Sequence, residues 1–563
     1  MRADKQPEPT AVELKVDVSL DFQYNLQDYF TQAMATKSVI IGLDGATWTL
    51  LNQLMANGTM PTLAKLVREG SSATLRSTMP PYTAPAWTTF ATGVNPGKHG
   101  CYDFLLPTDD LENFTLCNSS HIRPLTWYEL LYRAGKKSIL INLPNSYSVK
   151  LPTPTITDLL TVGNDCIHPV SLLEKYPVLK NYRLAPDEVL NIKGKTAEYI
   201  DDIIAVETGH MAAVQALWAG EPWDVFFYLF SSTDWISHAM FNRLLAGDAK
   251  AMELFKFIDE QLAWFVAHLP ADTNLYILSD HGFKVYEHTF YFNKWLEQQG
   301  YLVTKSAPAN QFHQSISKQD EQRVQLQQAK RFQLNIGSGT MRALSVVKPV
   351  EKLARWFYHG VVKPFLPIKI NLDITIDFEH TQVCFPKGRT MAAIYINDGR
   401  NYRQGKPLTN AQYLKLRDEV IAKLKNLRGP DGELVTPQVY TKEEIYGNDV
   451  PERCPDIFYE FGNYWFVGQF HSSSLFVDEL SNKHDPFGMF VAWGSDIVAQ
   501  HLTEQSIAAV TPTMLHDLAQ PVPTYMDAAV MPIFKTQRQI QTSAIPLVPE
   551  RAALNALIDD ITL

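Results

Sequence analysis

The sequence predicts an α/β fold, in which a mainly parallel sheet is flanked by helices and carries an inserted cap region. Short apolar runs recur along the chain, the first of them rich in β-branched residues. Helical stretches lie between them, and two of the runs end in polar residues followed by glycine. Alternating strands and helices are typical of parallel sheets that are buried on both faces. With 563 residues, the chain is far longer than a typical domain of ~150 residues, so it can bury a large core.

Composition places the chain among ordinary globular proteins and excludes several classes. Hydrophobic residues make up 45% and charged residues 20% of the chain. The net charge of -10 gives no support for a nucleic-acid-binding surface. Five scattered cysteines without a CxxC pair argue against a disulfide framework and against a thiolate zinc site, and they fit a reducing compartment. Because we find neither a secretory signal nor an apolar run near the ~20 residues that span a bilayer, we expect a soluble, cytoplasmic protein.

The predicted strands begin at Lys37, where SVIIGLDG is an apolar run stopped by Asp-Gly. Three further runs have the same character, at 136–144, 223–230 and 273–282. Helical stretches such as TWYELLYRAG and KAMELFKFIDEQLAWFVAHL separate them, as a parallel sheet requires.

The alternation stops between about Tyr301 and His380, where a polar, helix-prone stretch is followed by the amphipathic segment ARWFYHGVVKPFLP. We interpret this region as a cap or lid; a surface insertion without a role is an equal alternative. The alternation then resumes with AAIYIND, CPDIFYEF and GMFVAWG. The sequence therefore predicts five segments: an N-terminal arm 1–36, a first core part 37–300, a cap 301–380, a second core part 381–535 and a C-terminal tail 536–563.

Acidic and histidine residues follow two of the predicted strands, at the edge where open α/β sheets bind ligands. Asp44 ends the first strand, although an aspartate in this position is more often a helix cap. Asp280 and His281 follow a later strand, and we expect Gly282 to permit the turn that lets both side chains face one metal.

Two further elements could supply metal ligands. Asp234 and His238 are four residues apart in STDWISH, so a helix would present both on one face. His484 lies in a predicted loop just before a strand. Each motif is weak alone, because a chance D-x-x-x-H and a solvated loop histidine are both common.

Thr83 precedes Pro85 and a helical stretch, AWTTFATG. A hydroxyl at a helix N-terminus lies where free N–H groups and the helix dipole favour an anion. The simpler interpretation is that Thr83 is an N-cap. A threonine attacks phosphorus well only when a bound metal lowers the pKa of its hydroxyl.

Together these motifs place carboxylates, imidazoles and a hydroxyl at one predicted sheet edge. Nitrogen and oxygen ligands without thiolate suit two zinc ions, with manganese or another divalent metal as the alternative. Two metals clamp the attacking and leaving oxygens of an in-line displacement. The set therefore favours phosphoryl transfer chemistry.

The order of these motifs resembles that of the type I phosphodiesterase/nucleotide pyrophosphatase branch of the alkaline phosphatase superfamily. The chain carries LDG, then T-x-P with ATGVNPGKHG, then D-x-x-x-H, SDHG and a late histidine. The resemblance implies an alkaline phosphatase-like core and hydrolysis of phosphodiester or pyrophosphate bonds in a small phosphorylated substrate. It also implies that Thr83 forms a covalent phosphoryl-enzyme, which water activated at the second zinc hydrolyses. The implied ligands are Asp44, Thr83, Asp280 and His281 for one zinc, and Asp234, His238 and His484 for the other.

The chain departs from the family at one point. Animal-type nucleotide pyrophosphatases carry T-F-P-N, whereas this chain carries T-A-P-A, so Ala86 stands where an amide would support a phosphate oxygen. We therefore do not transfer nucleotide specificity, and we name Trp87 and Lys98 as candidate substrate-binding residues. Sulfatases need C/S-x-P-x-R, and the string TAPAW lacks both the cysteine or serine and the arginine.

Two alternatives stay open beside the diesterase. One is a phosphomonoesterase or a transferase resembling cofactor-independent phosphoglycerate mutase, although that family uses serine as its nucleophile where this chain has Thr83. The other is a metal-stabilised scaffold that binds a phosphorylated partner without turnover, which only Ala86 supports.

Overall fold

The computed structural model describes residues 37–161, 165–306, 374–385, 393–448, 450–451, 453–468 and 474–547. The predicted arm and most of the predicted cap lie outside the described residues. The strands are β1 Lys37–Leu43, β2 Ser71–Arg76, β3 Leu105–Pro107, β4 Phe114–Leu116, β5 Ser138–Leu143, β6 Thr155–Thr157, β7 Ile167–His168, β8 Val225–Phe230, β9 Thr273–Leu278, β10 Gly282–Tyr291, β11 Thr304–Ser306, β12 Ile374–Ile376, β13 Val383–Cys384, β14 Ala393–Ile396, β15 Val439–Thr441, β16 Ile457–Tyr459, β17 Tyr464–Val467, β18 Phe476–Asp485, β19 Phe487–Trp493, β20 Gln500–His501, β21 Gln505–Ser506, β22 Val522–Pro523 and β23 Thr542–Ser543. The helices are α1 Trp48–Ala56, α2 Pro61–Glu69, α3 Thr83–Thr92, α4 Pro96–His99, α5 Trp127–Arg133, α6 Leu172–Lys175, α7 Glu188–Ile192, α8 Thr196–Gly220, α9 Ser232–Leu245, α10 Ala249–His268, α11 Phe292–Gln298, α12 Asn410–Lys425, α13 Lys442–Tyr446 and α14 Val510–Asp517.

A ten-stranded sheet forms the centre of the fold, in the order β20-β2-β19-β9-β1-β8-β5-β6-β7, with β21 also paired to β2. Strand β1 pairs in parallel with β8 and β9, and β5 pairs in parallel with β8 and β6. Strand β19 runs antiparallel to β9 and β2. The predicted mainly parallel α/β sheet is therefore confirmed.

Helices cover both faces of this sheet. In β1, Val39 and Ile41 pack in the apolar cluster that includes residues of α1, α2, α8, α9 and α10, whereas Ile40 packs in the opposite cluster with residues of α3, α5 and α14. Burial on both faces explains why the strand is an uninterrupted apolar run. Between β1 and β2 the chain forms two helices, because Pro61 begins a second one after α1.

A second apolar cluster joins α11 and α12 to two smaller sheets. One sheet has the order β13-β14-β16-β15 and is antiparallel, and the other has the order β17-β10-β18. Of the strands predicted beyond the cap, β19 joins the central sheet, whereas β14 and β16 belong to the small antiparallel one. The predicted domain boundaries stay a prediction.

The structure also bears on two expectations from composition. All five cysteines are buried, and none takes part in a disulfide. Within the described ranges, every helix is too short or too polar to cross a lipid bilayer.

Candidate active site

Three neighbouring parallel strands deliver acidic residues to one edge of the central sheet. Asp44 directly follows β1, and Asp280 follows β9 after one intervening residue. Strand β8 leads into α9, which carries Asp234 and His238. Because Leu43 pairs with Phe230 of β8, the ends of these strands lie side by side. The sheet thus brings together side chains that are more than 230 residues apart in sequence.

Thr83 begins α3, as the sequence predicts, and its Oγ1 lies 3.3 Å from Nε2 of His281. The first turn of this helix is held by Asn145, which follows β5. Its amide nitrogen donates to the carbonyl of Ala84 at 3.2 Å and to Oγ1 of Thr88 at 2.9 Å. The hydroxyl of Thr83 is therefore fixed at the same sheet edge as the carboxylates.

One group of candidate ligands consists of Asp44, Asp280 and His281, all three buried. Nε2 of His281 lies 3.6 Å from Oδ1 of Asp44 and 3.2 Å from Oδ2 of Asp280. The other oxygens of the two carboxylates are already engaged, since Asp280 Oδ1 accepts from the N–H of Gly45 at 3.1 Å and Asp44 Oδ2 accepts from the indole N–H of Trp87 at 3.2 Å. One oxygen of each carboxylate is thus left for a metal.

The second group consists of Asp234, His238 and His484. Oδ1 of Asp234 lies 3.4 Å from Nε2 of each histidine, and the two Nε2 atoms are 2.9 Å apart. The rings of His484 and His281 stack with centroids 3.7 Å apart, so the two groups are contiguous. Every metal ligand that the sequence predicts is therefore found in one cluster.

Backbone carbonyls determine which nitrogen of two histidines carries the proton. Nδ1 of His281 lies 3.1 Å from the carbonyl oxygen of Gly282, and Nδ1 of His484 lies 3.2 Å from that of Pro81. A carbonyl can only accept, so each Nδ1–H donates. When these rings are neutral, each Nε2 presents a lone pair, which is the usual arrangement of metal-binding histidines.

The cluster lacks donors for its buried acceptors. Among the described residues, no hydrogen-bond donor reaches Oδ1 of Asp44, Oδ1 of Asp234 or Oδ2 of Asp280. Buried carboxylate oxygens are rarely left without a partner, because the cost of desolvating them is high. Carboxylate and imidazole ligands without thiolate suit zinc and similar divalent metals. The residues present therefore fit divalent cations.

The electrostatics of the cluster point the same way. Burial, followed by repulsion from Asp280 and Asp234, raises the pKa of Asp44 well above its ordinary value, and burial raises the pKa of Asp280 to about 8. Burial also acts to raise the pKa of Asp234, but attraction to His238 and His484 in their protonated forms outweighs it and holds that pKa below its ordinary value. Burial lowers the pKa of His484 to about 3, which keeps the imidazole neutral. A bound cation would stabilise the charged carboxylates.

Two details of the predicted site need correction. His484 lies within β18, not in a loop, because this segment pairs antiparallel with β10 and sets His484 opposite Phe283. Gly282 is required by close packing: a Cβ there would lie 2.2 Å from the carbonyl oxygen of Phe487. The residue that needs a left-handed turn is Gly45, at φ +67°.

The predicted substrate-binding residues have other contacts. Trp87 is fully buried and donates its indole N–H to Asp44, so it orients a candidate metal ligand. The ammonium group of Lys98 forms an ion pair with Asp527 and donates to the carbonyl of Tyr525 at 2.8 Å. Ala86 packs in the apolar cluster of α3, where an amide would be surrounded by hydrophobic side chains. Substrate contacts of Trp87 and Lys98 stay a prediction.

Sequence reasoning missed Asn145 and Thr233. Thr233 donates its hydroxyl to the backbone oxygen of Asp44 at 2.5 Å and so joins the start of α9 to the end of β1. Asn145 follows a predicted strand, which is the signal that identified Asp44, and could have been found in the same way. Nothing in the sequence near Thr233 distinguishes it from other threonines.

The chain and its fold are similar to proteins that are already known. Residues 38–484 match the family model described as type I phosphodiesterase/nucleotide pyrophosphatase. No curated protein matches the chain. Murine ectonucleotide pyrophosphatase/phosphodiesterase 5 is similar, with 15% identity and a TM-score of 0.45, over 86% of this chain and 95% of that one. Phosphonoacetate hydrolase from Sinorhizobium meliloti 1021 is also similar, with 14% identity and a TM-score of 0.47, over 84% of this chain and 91% of that one.

A mutant of the alkaline phosphatase PafA has 12% identity to the chain and a TM-score of 0.50, over 87% of this chain and 96% of that one. This similarity concerns the fold alone, and it confirms the predicted alkaline phosphatase-like architecture. The family match spans most of the chain, from β1 to the strand that carries His484. The chain therefore belongs to the type I phosphodiesterase/nucleotide pyrophosphatase family of hydrolases.

Proposed function

We propose that the protein hydrolyses phosphodiester or pyrophosphate bonds with the help of two divalent metal ions, and that Thr83 is the nucleophile. The observation that carries the proposal is the position of the Thr83 hydroxyl, 3.3 Å from Nε2 of His281 and beside buried carboxylate oxygens that have no donor among the described residues. Membership of the family supports the reaction class.

The ligand roles divide between the two groups. One metal would be held by Thr83, Asp44, Asp280 and His281. The other would be held by Asp234 and His238 of α9 together with His484. Zinc is favoured by the mixed imidazole and carboxylate donors, with manganese as the alternative. When bound, the metals neutralise charge on the phosphoryl oxygens and lower the pKa of a bound hydroxyl.

The chain's own residues define two displacements. Oγ1 of Thr83 attacks phosphorus, the bond from phosphorus to the leaving oxygen breaks, and the alcohol or phosphate departs with the proton that the threonine loses. Water then attacks the same phosphorus, the bond between Thr83 and phosphorus breaks, and Thr83 regains a proton. The N-terminus of α3, where Thr83 lies, favours the anionic phosphoryl group during both steps.

Other predictions accompany this proposal. A small phosphorylated molecule is the expected substrate. A cytoplasmic location rests on the unpaired cysteines. The predicted cap would govern substrate choice, and this role lies largely outside the described residues.

A comparison of two synthetic substrates tests the reaction class. We expect the purified protein to hydrolyse bis-(p-nitrophenyl) phosphate with a higher kcat/KM than p-nitrophenyl phosphate, because the family acts on diesters. Release of p-nitrophenol at matched pH and metal concentration measures both rates. A clear preference for the monoester would instead support the phosphomonoesterase alternative.

A further inference from the structure

A buried polar cluster lies at the N-terminus of α9, the helix that carries two candidate metal ligands. Glu207 of α8 is fully buried, and its carboxylate accepts from the hydroxyl of Tyr228. Nδ1 of His210 lies 3.4 Å from Oε2 of Glu207. A buried carboxylate without lysine or arginine is costly unless hydrogen bonds satisfy it, so the groups that donate to Glu207 indicate what it holds in place.

The third partner of Glu207 is the helix α9 itself. Oε1 of Glu207 accepts from the backbone N–H of Ser232, the first residue of α9, at 3.3 Å. The first N–H groups of a helix have no partner within it, and a carboxylate there interacts favourably with the helix dipole. Asp234 lies two residues further on, so Glu207 acts on the turn that presents this ligand.

The same turn is joined to the other ligand group. Thr233, the next residue after Ser232, donates to the backbone oxygen of Asp44. The N–H of Asp44 in turn donates to the carbonyl of Phe230 at 3.1 Å. The start of α9 is therefore tied by hydrogen bonds to Glu207 on one side and to Asp44 on the other.

Neighbouring residues hold the His210 side of the cluster. Nε2–H of His210 donates to the carbonyl of Arg183 at 2.6 Å, and Tyr182 stacks on the ring with centroids 4.4 Å apart. Tyr182 also donates to Oδ1 of Asn142 at 2.7 Å, and Nδ2 of Asn142 lies 3.3 Å from Nδ1 of His210. These contacts hold the ring of His210 beside Glu207.

We propose that Glu207 is a positioning residue of the metal centre. It holds the N-terminus of α9 so that Asp234 and His238 face His484. The inference rests on the proposed function, because it assumes that these side chains bind a metal. The inference does not change which residues are assigned as metal ligands.

The chain offers a matched control. Asp259 is a buried carboxylate that accepts from the backbone N–H groups of Thr62 and Leu63, at 2.9 Å each, at the start of α2. Helix α2 carries none of the candidate metal ligands. Asp259→Asn therefore repeats the loss of a carboxylate at a helix N-terminus without touching the helix that holds Asp234.

The test measures metal affinity, not activity. Zn²⁺ alone is titrated against a chromophoric chelator at fixed pH, well below the melting temperature, in wild type, Glu207→Gln and Asp259→Asn. An amide has one acceptor oxygen, so it cannot accept hydrogen bonds from both Ser232 and Tyr228, as the carboxylate does. We expect Glu207→Gln to weaken the binding of one of the two zinc equivalents by about 10-fold. Asp259→Asn should lower the melting temperature with both affinities unchanged, and Co²⁺ absorption should change in Glu207→Gln alone.

Equal zinc affinities in Glu207→Gln and wild type would overturn the inference while leaving the proposed function intact. A wild-type chain that binds neither zinc nor manganese would overturn both. If Glu207→Gln does not fold, Glu207→Asp decides the question, because it keeps the charge and withdraws the carboxylate from the N–H of Ser232 by one methylene. Weaker binding of the same equivalent, by a smaller factor, supports the inference, and unchanged binding contradicts it.

Discussion

Replacing Thr83 with alanine is expected to lower the turnover of bis-(p-nitrophenyl) phosphate by at least about 1,000-fold, because the nucleophile is removed while the rest of the site remains. The fold should survive, since Thr83 is partly exposed at the first position of α3 and its hydroxyl contacts His281 at the site. Most of the bound metal should also remain, because the aspartate and histidine ligands are untouched. Turnover, metal content and circular dichroism measured on one preparation check the three parts.

Two further variants serve as controls for Thr83→Ala. Thr83→Ser keeps a hydroxyl at the same position and should retain a measurable rate. Thr92→Ala removes a buried hydroxyl of the same helix that bonds to the carbonyl of Thr88 at 2.7 Å, and it should keep a rate close to that of wild type. A Thr83→Ala protein that turns over as fast as wild type would show that another group attacks phosphorus.

The second large effect is expected from Asp234→Asn. Oδ1 of Asp234 lies 3.4 Å from Nε2 of both His238 and His484, and it has no hydrogen-bond donor in the described part of the chain. An amide carries no charge to balance a cation, so this group should lose its metal while Asp44 and Asp280 keep theirs. We expect the metal content to fall from about two equivalents to about one, and turnover to fall with it.

Asp248→Asn provides the comparison for Asp234→Asn. Asp248 accepts from the backbone N–H groups of Lys250 and Ala251, at 3.1 Å each, where it caps α10 just beyond α9. Its replacement should leave both metal equivalents in place. Elemental analysis after gel filtration measures the metal, and two equivalents in folded Asp234→Asn would refute the assignment of Asp234 as a ligand.

The sequence predicts the sheet and the ligands for the same physical reason. Strands buried on both faces are apolar runs, and parallel strands expose their carboxyl ends at one edge. The polar residues that end such runs, Asp44 and Asp280, are therefore expected to lie together on the strength of the sequence alone. The spacing of Asp234 and His238 indicates a shared helix face in the same way.

Other parts of the site depend on contacts between distant segments, which local patterns do not encode. His484 is in a strand because β18 pairs with β10, almost 200 residues away in sequence. Trp87 supports Asp44 because α3 packs across the end of β1. Glu207 is an ordinary helical glutamate in the sequence, and only the packing of α8 against β8 and α9 brings it to Ser232.

The metal content of the wild-type protein, measured together with its hydrolysis of bis-(p-nitrophenyl) phosphate, tests the central claim most directly. We predict about two divalent ions per chain, turnover that is lost on chelation, and recovery when zinc is added back. A protein that binds no metal and stays inactive after zinc or manganese is added would contradict the account, because the convergent carboxylates and histidines would then have no catalytic cation to hold.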